Sequence, residues 1–243
     1  MSFAGQRILV TGGASGFGLG IAHKFSSRGA RVIIADVNRE LGEKVTQELD
    51  DALFIHCDVS NSESVSALFS QLEKVDVLIN NAGITHIPAP AEDISEEDFD
   101  RVFAVNAKSV YLTCKNALPM MKAAGHGVIL NIASTAGVSP RPNLAWYNAS
   151  KGWMITATKA LAIELAPFNI RVNAISPVAG ETPLLSTFMG GDTPALREKF
   201  LKTIPLGRFS QPEDIASAAC FLCSSEASMI MGIAMEVDGG RCI

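Results

Sequence analysis

Seven short apolar runs divide this 243-residue chain: RILVTG at 7–12, RVIIAD at 31–36, ALFIHCD at 52–58, VDVLIN at 75–80, GVILNIA at 127–133, IRVNAIS at 170–176 and IAMEVD at 233–238. Most are apolar throughout instead of alternating with polar residues. That is the pattern of strands buried on both faces. Helical stretches fill the intervals near 16–28, 38–49, 61–73, 96–123, 146–166 and 212–223. Several boundaries carry capping signals. Gly29 follows the first helix, Ser95 with Asp98 resembles a capping box, and Ser210 with Glu213 brackets Pro212 at a third start. Strand–helix alternation of this kind predicts a parallel sheet with helices on both faces, a doubly wound α/β fold. With no repeat and no Pro-, Gly- or Ser-rich linker, residues 1–243 read as a single domain.

Composition narrows the partners. The net charge of −5 and pI near 5.4 give no reason to expect nucleic acid or an anionic membrane. No basic segment precedes an apolar stretch at the N-terminus, and no apolar run reaches a membrane span, so a soluble cytoplasmic protein is expected. The five scattered cysteines suit reduced thiols. Cys220 and Cys223 form a CxxC, but inside an apolar helix and without a second pair. Histidines 23, 56, 86 and 126 show no ligand spacing, so no metal is expected. The acids Glu92, Asp93, Glu96, Glu97 and Asp98 read as carboxylates favouring a helix start.

The chemistry concentrates at strand ends. The first run leads into Thr11-Gly12-Gly13-Ala14-Ser15-Gly16-Phe17-Gly18, with a helix immediately after. Glycines at 12, 16 and 18 let the backbone turn sharply and let a pyrophosphate approach the helix N-terminus. Ser15 and Phe17 belong to the same candidate loop; tight packing alone is the other reading. Asp36 ends the second run, where a carboxylate accepts hydrogen bonds from both hydroxyls of an adenosine ribose and repels a 2′-phosphate. That favours NAD over NADP, although Arg39 could pair with such a phosphate. Asp58 and Val59 end the third run and are candidates for the adenine. Asn81, Ala82 and Gly83 follow the fourth, where small residues let a cofactor lie against the backbone. Asn106, a poor helix-interior residue, either bends its helix or holds a water there.

Tyr147 and Lys151 stand four residues apart, on one face of a helix. A phenol with an ordinary pKa of about 10 transfers protons poorly near neutrality, and a neighbouring ammonium would lower it. Ser134, at the end of the fifth run, could hydrogen-bond the same substrate oxygen. Together they suit moving a proton on and off a carbonyl or alcohol oxygen.

TGGASGFG, NNAG, Asn106, Ser134 and the YNASK of 147–151, in that order, resemble the short-chain dehydrogenase/reductases, over essentially the whole chain from Arg7 to Gly240 and including VDGG at 237–240. The resemblance implies a Rossmann-type fold, a homotetramer, and a tetrad of Asn106, Ser134, Tyr147 and Lys151. Tyr147 would be the general acid/base and Ser134 would orient the substrate oxygen. Lys151 would bond the nicotinamide ribose, and Asn106 would hold a proton-relaying water. Pro177 and Thr182 keep the family spacing, so cofactor contacts are expected there, while Val178 stands where family members usually have glycine. A mobile substrate lid is expected at about 181–204, hinged at Gly190-Gly191. Leu184, Leu185, Phe188 and Met189 would line the pocket from one side and Ile84, His86 and Leu144 from the other; packing alone is the competing reading. Arg141 is the one cation near the site in sequence, set either to meet a substrate carboxylate or to be solvated.

The expected function is NAD-dependent interconversion of a secondary alcohol and a ketone, the work of an alcohol dehydrogenase or carbonyl reductase on a small molecule. The rivals are a 3-oxoacyl-thioester reductase, a sugar or polyol dehydrogenase and a nicotinamide redox sensor.

Overall fold

The computed structural model describes all 243 residues and forms one seven-stranded parallel sheet in the order β3-β2-β1-β4-β5-β6-β7. The strands are β1 (Arg7–Thr11), β2 (Arg31–Asp36), β3 (Ala52–His56), β4 (Val77–Asn80), β5 (Gly127–Ile132), β6 (Ile170–Pro177) and β7 (Ala234–Val237). The expected doubly wound fold is present, with every strand where an apolar run stands.

Successive residues of each strand point to opposite faces, and that sorts the core into two layers. Leu9, Ile33, Leu78, Ile129 and Val172 face one way. They pack on α3 (Ser62–Ser70), α5 (Ser109–Ala124) and α6 (Ala145–Leu165) through Leu68, Leu112, Met121 and Leu165. Ile8, Val10, Ile34, Ile79 and Ile175 face the other way, against Ile21, Phe25, Ile215 and Leu222. Those come from α1 (Gly16–Ser26) and α9 (Pro212–Cys223). Each such side chain contributes roughly 1.5–3 kcal/mol over its exposed state. Because both faces are covered, alternation of polar and apolar residues is absent from the strands.

The remaining helices are α2 (Arg39–Gln47), α4 (Glu96–Phe103), α7 (Leu185–Met189) and α8 (Pro194–Leu201). The long helix expected over 96–123 is interrupted. One π-helical turn, Ala104–Lys108, joins α4 to α5 and accommodates Asn106. Two caps differ from expectation. The first helix ends at Ser26, and Gly29 instead makes the tight turn into β2 with φ +84°. At α9 the capping box is Gln211 with Asp214, because the Ser210 hydroxyl is occupied by the carbonyls of Val178 and Ala179. Ser95 caps α4 as expected, accepting from the Asp98 N–H at 3.1 Å. No helix is long and apolar enough to cross a membrane.

The strand order reverses between β1 and β4, which opens a crevice beyond their carboxyl ends. The glycine-rich turn, Asp36, Asp58 and Asn81 all stand at that end.

Candidate active site

Tyr147 lies in the first turn of α6 and Lys151 one turn further, and both are buried, at 5% and 4% exposure. Ser134 stands just past β5, where its Oγ accepts from the Ala136 N–H at 3.1 Å and caps a 3₁₀ turn. All three line one cavity of about 90 Å³, with Phe17, Asn81, Gly83, Ile132, Ala133, Pro177, Val178, Ala179, Gly180, Thr182, Leu184, Leu185 and Phe188. Burial pushes the Tyr147 phenol up, and the Ser134 hydroxyl beside it works the other way. Burial lowers Lys151 to about 8. The expected ammonium–phenol coupling is therefore not what sets the phenol here. Lys151 Nζ donates instead to the Ile132 carbonyl at 2.9 Å.

Asn106 is fully buried, and its amide is spent on protein. Oδ1 accepts from the Ile84 N–H at 2.9 Å, while Nδ2 donates to the Ile84 carbonyl at 2.9 Å and to Ser150 Oγ at 3.0 Å. The side chain thus clamps the segment after β4 onto α6, beside Lys151. It stands in the π-turn that interrupts the helix, and Oδ1, with one donor, keeps a second lone pair.

A second cavity of about 430 Å³ adjoins the first and shares Phe17, Asn81, Gly83, Thr182 and Leu184 with it. Its lining includes Gly12, Ser15, Gly16, Asp36, Asp58, Val59, Ala82, Ile84 and Pro183. The cradle is shaped by missing side chains. A Cβ on Gly12 would sit 2.9 Å from Ala82 Cα, and one on Gly83 would sit 3.2 Å from Lys151 Nζ. Gly16 holds φ +54° at the start of α1 and lines the cavity with Ser15 and Phe17, where the first N–H groups of the helix lack intrahelical partners. Asn81 Nδ2 donates to the carbonyls of Thr11 and Gly12 at 2.9 Å each and fixes the turn. Asp36 is oriented from both sides, accepting from Ala14 N–H at 3.0 Å and Asn38 N–H at 2.9 Å. The two cavities form one elongated cleft that runs from Asp36 past the start of α1 to Tyr147, and its glycine-shaped floor and helix N-terminus suit a dinucleotide.

Several expected residues stand elsewhere. Gly18 lines neither cavity; its place is behind the turn, where a Cβ would lie 2.1 Å from the Gly12 carbonyl oxygen. Asp58 keeps its place on the large cavity, and its carboxylate also caps its own turn, accepting from Ser60 N–H and Oγ. Among the pocket candidates, Leu184, Leu185 and Phe188 line the small cavity and Ile84 the large one. His86 is buried with Nδ1 2.9 Å from the Ile87 carbonyl, Leu144 packs beneath Tyr147, and Met189 packs on Val178 and Ile204. All three are buried and line neither cavity. Arg39 pairs with Glu43 and lines neither cavity. Phe17, expected in the glycine-rich loop, lines both cavities, while Ile132 and Ala133 beside Ser134 were missed; their place at the end of a strand was the available signal.

Segment 181–204 folds as α7 and α8 over the small cavity. Arg197 Nη1 and Nη2 reach Glu181, and its Nε and Nη2 reach Asp192, which ties α8 to both ends of the preceding loop. Cys220 and Cys223 are buried on α9, and burial pushes the Cys220 thiol up to about 11.

A family model described as enoyl-(acyl carrier protein) reductase, of the short-chain dehydrogenase type, matches residues 12–241. The chain is 48% identical to 4-formylbenzenesulfonate dehydrogenase of Comamonas testosteroni, covering 99% of each. It is 39% identical to cyclopentanol dehydrogenase of the same species, covering 96% of this chain and 95% of that one. Among solved structures, 3-ketoacyl-(acyl-carrier-protein) reductase from Brucella melitensis, complexed with NADH, superposes with a TM-score of 0.94 at 50% identity over all of both chains.

Proposed function

The chain belongs to the short-chain dehydrogenase/reductase family, and from that premise we propose how its residues carry the NAD-dependent oxidation of a secondary alcohol to a ketone. The protein is an oxidoreductase, and its cofactor is NAD. When bound, NAD supplies the hydride acceptor at nicotinamide C4. The glycine turn and the start of α1 would hold the phosphates, Asp36 would hold the adenosine ribose, and Asn81 to Gly83, Pro177, Val178 and Thr182 would border the nicotinamide end.

Tyr147 is the general base. The alcohol proton passes to its phenolate oxygen, the C–H bonding pair leaves as hydride, and the C–O bond becomes a carbonyl. Ser134 orients the reacting oxygen by hydrogen bonding. Lys151, which here donates to the Ile132 carbonyl, would hold the nicotinamide ribose, and its ammonium would there lower the phenol. Asn106 keeps Ile84 and α6 in register, so that Lys151 meets the cofactor. Segment 181–204 is the lid, and its apolar lining by Leu184, Leu185 and Phe188 suits an alkyl or aryl substrate better than a polyol. An NAD preference fits oxidation, since cellular NAD is held mostly oxidised.

The observation that carries this reading is the single cavity where Ser134, Tyr147 and Lys151 meet, continuous with the one over the glycine turn. The test is NAD⁺ and NADP⁺ reduction in parallel on aliphatic, aryl and polyol secondary alcohols, with Tyr147→Phe beside the parent. Turnover with NAD⁺ on apolar alcohols, and its loss by about a thousandfold in the variant with NADH affinity kept, is expected. Undiminished turnover in Tyr147→Phe would sink the assignment. Acting as a 3-oxoacyl-thioester reductase is the second reading, favoured by the likeness to the Brucella protein. Faster NADPH oxidation on a 3-oxoacyl thioester than NAD⁺ reduction on any alcohol would establish it.

A cytoplasmic location is supported by four buried, unpaired cysteines, Cys57, Cys114, Cys220 and Cys223, and is checked by cell fractionation. A homotetramer is supported by exposed apolar side chains on α5 and α6: Tyr111, Trp153 and Ile163.

A further inference from the structure

We propose that Arg141, with Arg241 behind it, selects alcohols and ketones that carry an anionic oxo group, a carboxylate or sulfonate, one ring-length beyond the reacting carbon. This rests on Tyr147 being the proton-transfer group. Guanidinium groups elsewhere in the molecule are satisfied. Arg7, Arg31, Arg39, Arg101, Arg197 and Arg208 each stand within ion-pair distance of a carboxylate. Arg28 bonds a main-chain carbonyl, and Arg171 bonds three.

Arg141 and Arg241 differ from all of these. Arg141 Nη2 donates to Thr203 Oγ1 at 3.2 Å, and Arg241 Nη1 donates to Ser139 Oγ at 3.2 Å. Neither pairs with a carboxylate, and the Nε of Arg241 is buried without any acceptor. The two like charges repel each other, and burial with that repulsion lowers Arg141 to about 10. Two partly buried cations held by hydroxyls alone are costly, and an incoming anion offsets that cost. The uncompensated pair is notable in a chain of net charge −5.

Position supplies the second argument. The Arg141 guanidinium carbon lies 4.4 Å from the centre of the Phe200 ring and 6.0 Å from that of Phe188. Phe188 lines the substrate cavity and packs edge-on against Tyr147, ring centres 5.6 Å apart. Phe188 thus stands near both the proton-transfer group and the guanidinium, and Arg141 itself lines a neighbouring hollow with Pro140, Asn148 and Gly152. A substrate ring lying along Phe188, with its reacting carbon at Tyr147, directs its far substituent to Arg141. Resting its face on aromatic rings turns the N–H edge of the guanidinium outward, where all its donors but the one on Thr203 Oγ1 are open to such a group.

The experiment compares 1-phenylethanol with 4-(1-hydroxyethyl)benzoate and 4-(1-hydroxyethyl)benzenesulfonate, NAD⁺ saturating. The anionic substrates should exceed the neutral one in kcat/KM by about tenfold or more, mainly through KM. Raised salt should shrink that ratio. Arg141→Met should bring it near one, and Arg141→Lys should keep part of it. A ratio of one or less in the parent, or an unchanged ratio in Arg141→Met, overturns the proposal. Calorimetry with benzoate and benzenesulfonate on the NADH-loaded protein decides the matter apart from turnover. Binding that Arg141→Met loses and Arg141→Lys partly restores supports the site, and no binding, or binding unaffected by either change, refutes it. Should no alcohol be oxidised, the reading of Tyr147 fails while calorimetry still judges Arg141.

Discussion

A lysine sealed in the protein at about 8 stores a cost that can be measured. Its folded-state value lies below the unfolded one near 10.4, so between the two the unfolded chain binds more protons and stability rises with pH. Below pH 8 the folded state carries the full penalty of a buried charge. Lys151→Met should therefore be more stable than the parent at pH 7, by about 1–2 kcal/mol after the Ile132 carbonyl loses its donor. The gain should vanish by about pH 10.5, while activity is lost throughout. Denaturant melts across pH 7–10.5 check it, and a destabilised variant at pH 7 would refute it. At this scale the sequence was informative about which residues meet, since Tyr147 and Lys151 share a helix face and Ser134 ends a strand. It was silent on Lys151 pointing to a carbonyl, and on the burial of His86, Leu144 and Met189 away from both cavities. Those directions follow from contacts with β5 and with elements distant in the chain, and no local spacing encodes that.

Helix α1 approaches the glycine turn so closely that Gly18 belongs to packing. A Cβ there would stand 2.1 Å from the Gly12 carbonyl oxygen and 2.5 Å from Asn81 Nδ2. Neither neighbour can give way, because the first is backbone and the second holds the turn. Gly18→Ala should cost about 3 kcal/mol, the upper range of overpacking, and weaken NADH binding at least tenfold. Gly152, in α6, is the control: its nearest obstacle is 3.8 Å away, and Gly152→Ala should be neutral or gain about 0.5–1 kcal/mol. Chemical melts and NADH fluorescence titration distinguish the two. Periodicity marked all seven strands and six helical stretches, because two-faced burial writes itself into composition. It could not mark the π-turn at Ala104–Lys108, whose extra residue is held by bonds from Asn106 to Ile84 and Ser150, 22 and 44 positions away. Nor did it separate Ser210 from Gln211 as the cap of α9, a choice made by the carbonyls of Val178 and Ala179.

The whole molecule leaves large apolar side chains in water. Ile163 is 80% exposed, Tyr111 55% and Trp153 40%, all on the helices that cover one face of the sheet. Burying them between copies would give a tetramer whose stability depends on concentration. Light scattering should return four times 25.7 kDa, and the melting temperature should climb as protein concentration rises. A monomer at micromolar concentration would rule the tetramer out. Sheet order was legible only in outline: alternation implies parallel strands, yet which pair sits at the centre depends on contacts distant in the chain.

That central pair dictates how the molecule is born. Strand β1 bonds β2 along one edge and β4 along the other, Ile8 facing Val77. On the ribosome, β1, β2 and β3 emerge first with the inner edge of β1 open, and it stays open until residues 77–80 have left the exit tunnel. For that interval the nascent chain displays an unpaired apolar edge, the target to which a chaperone binds and at which two unfinished copies would stick together.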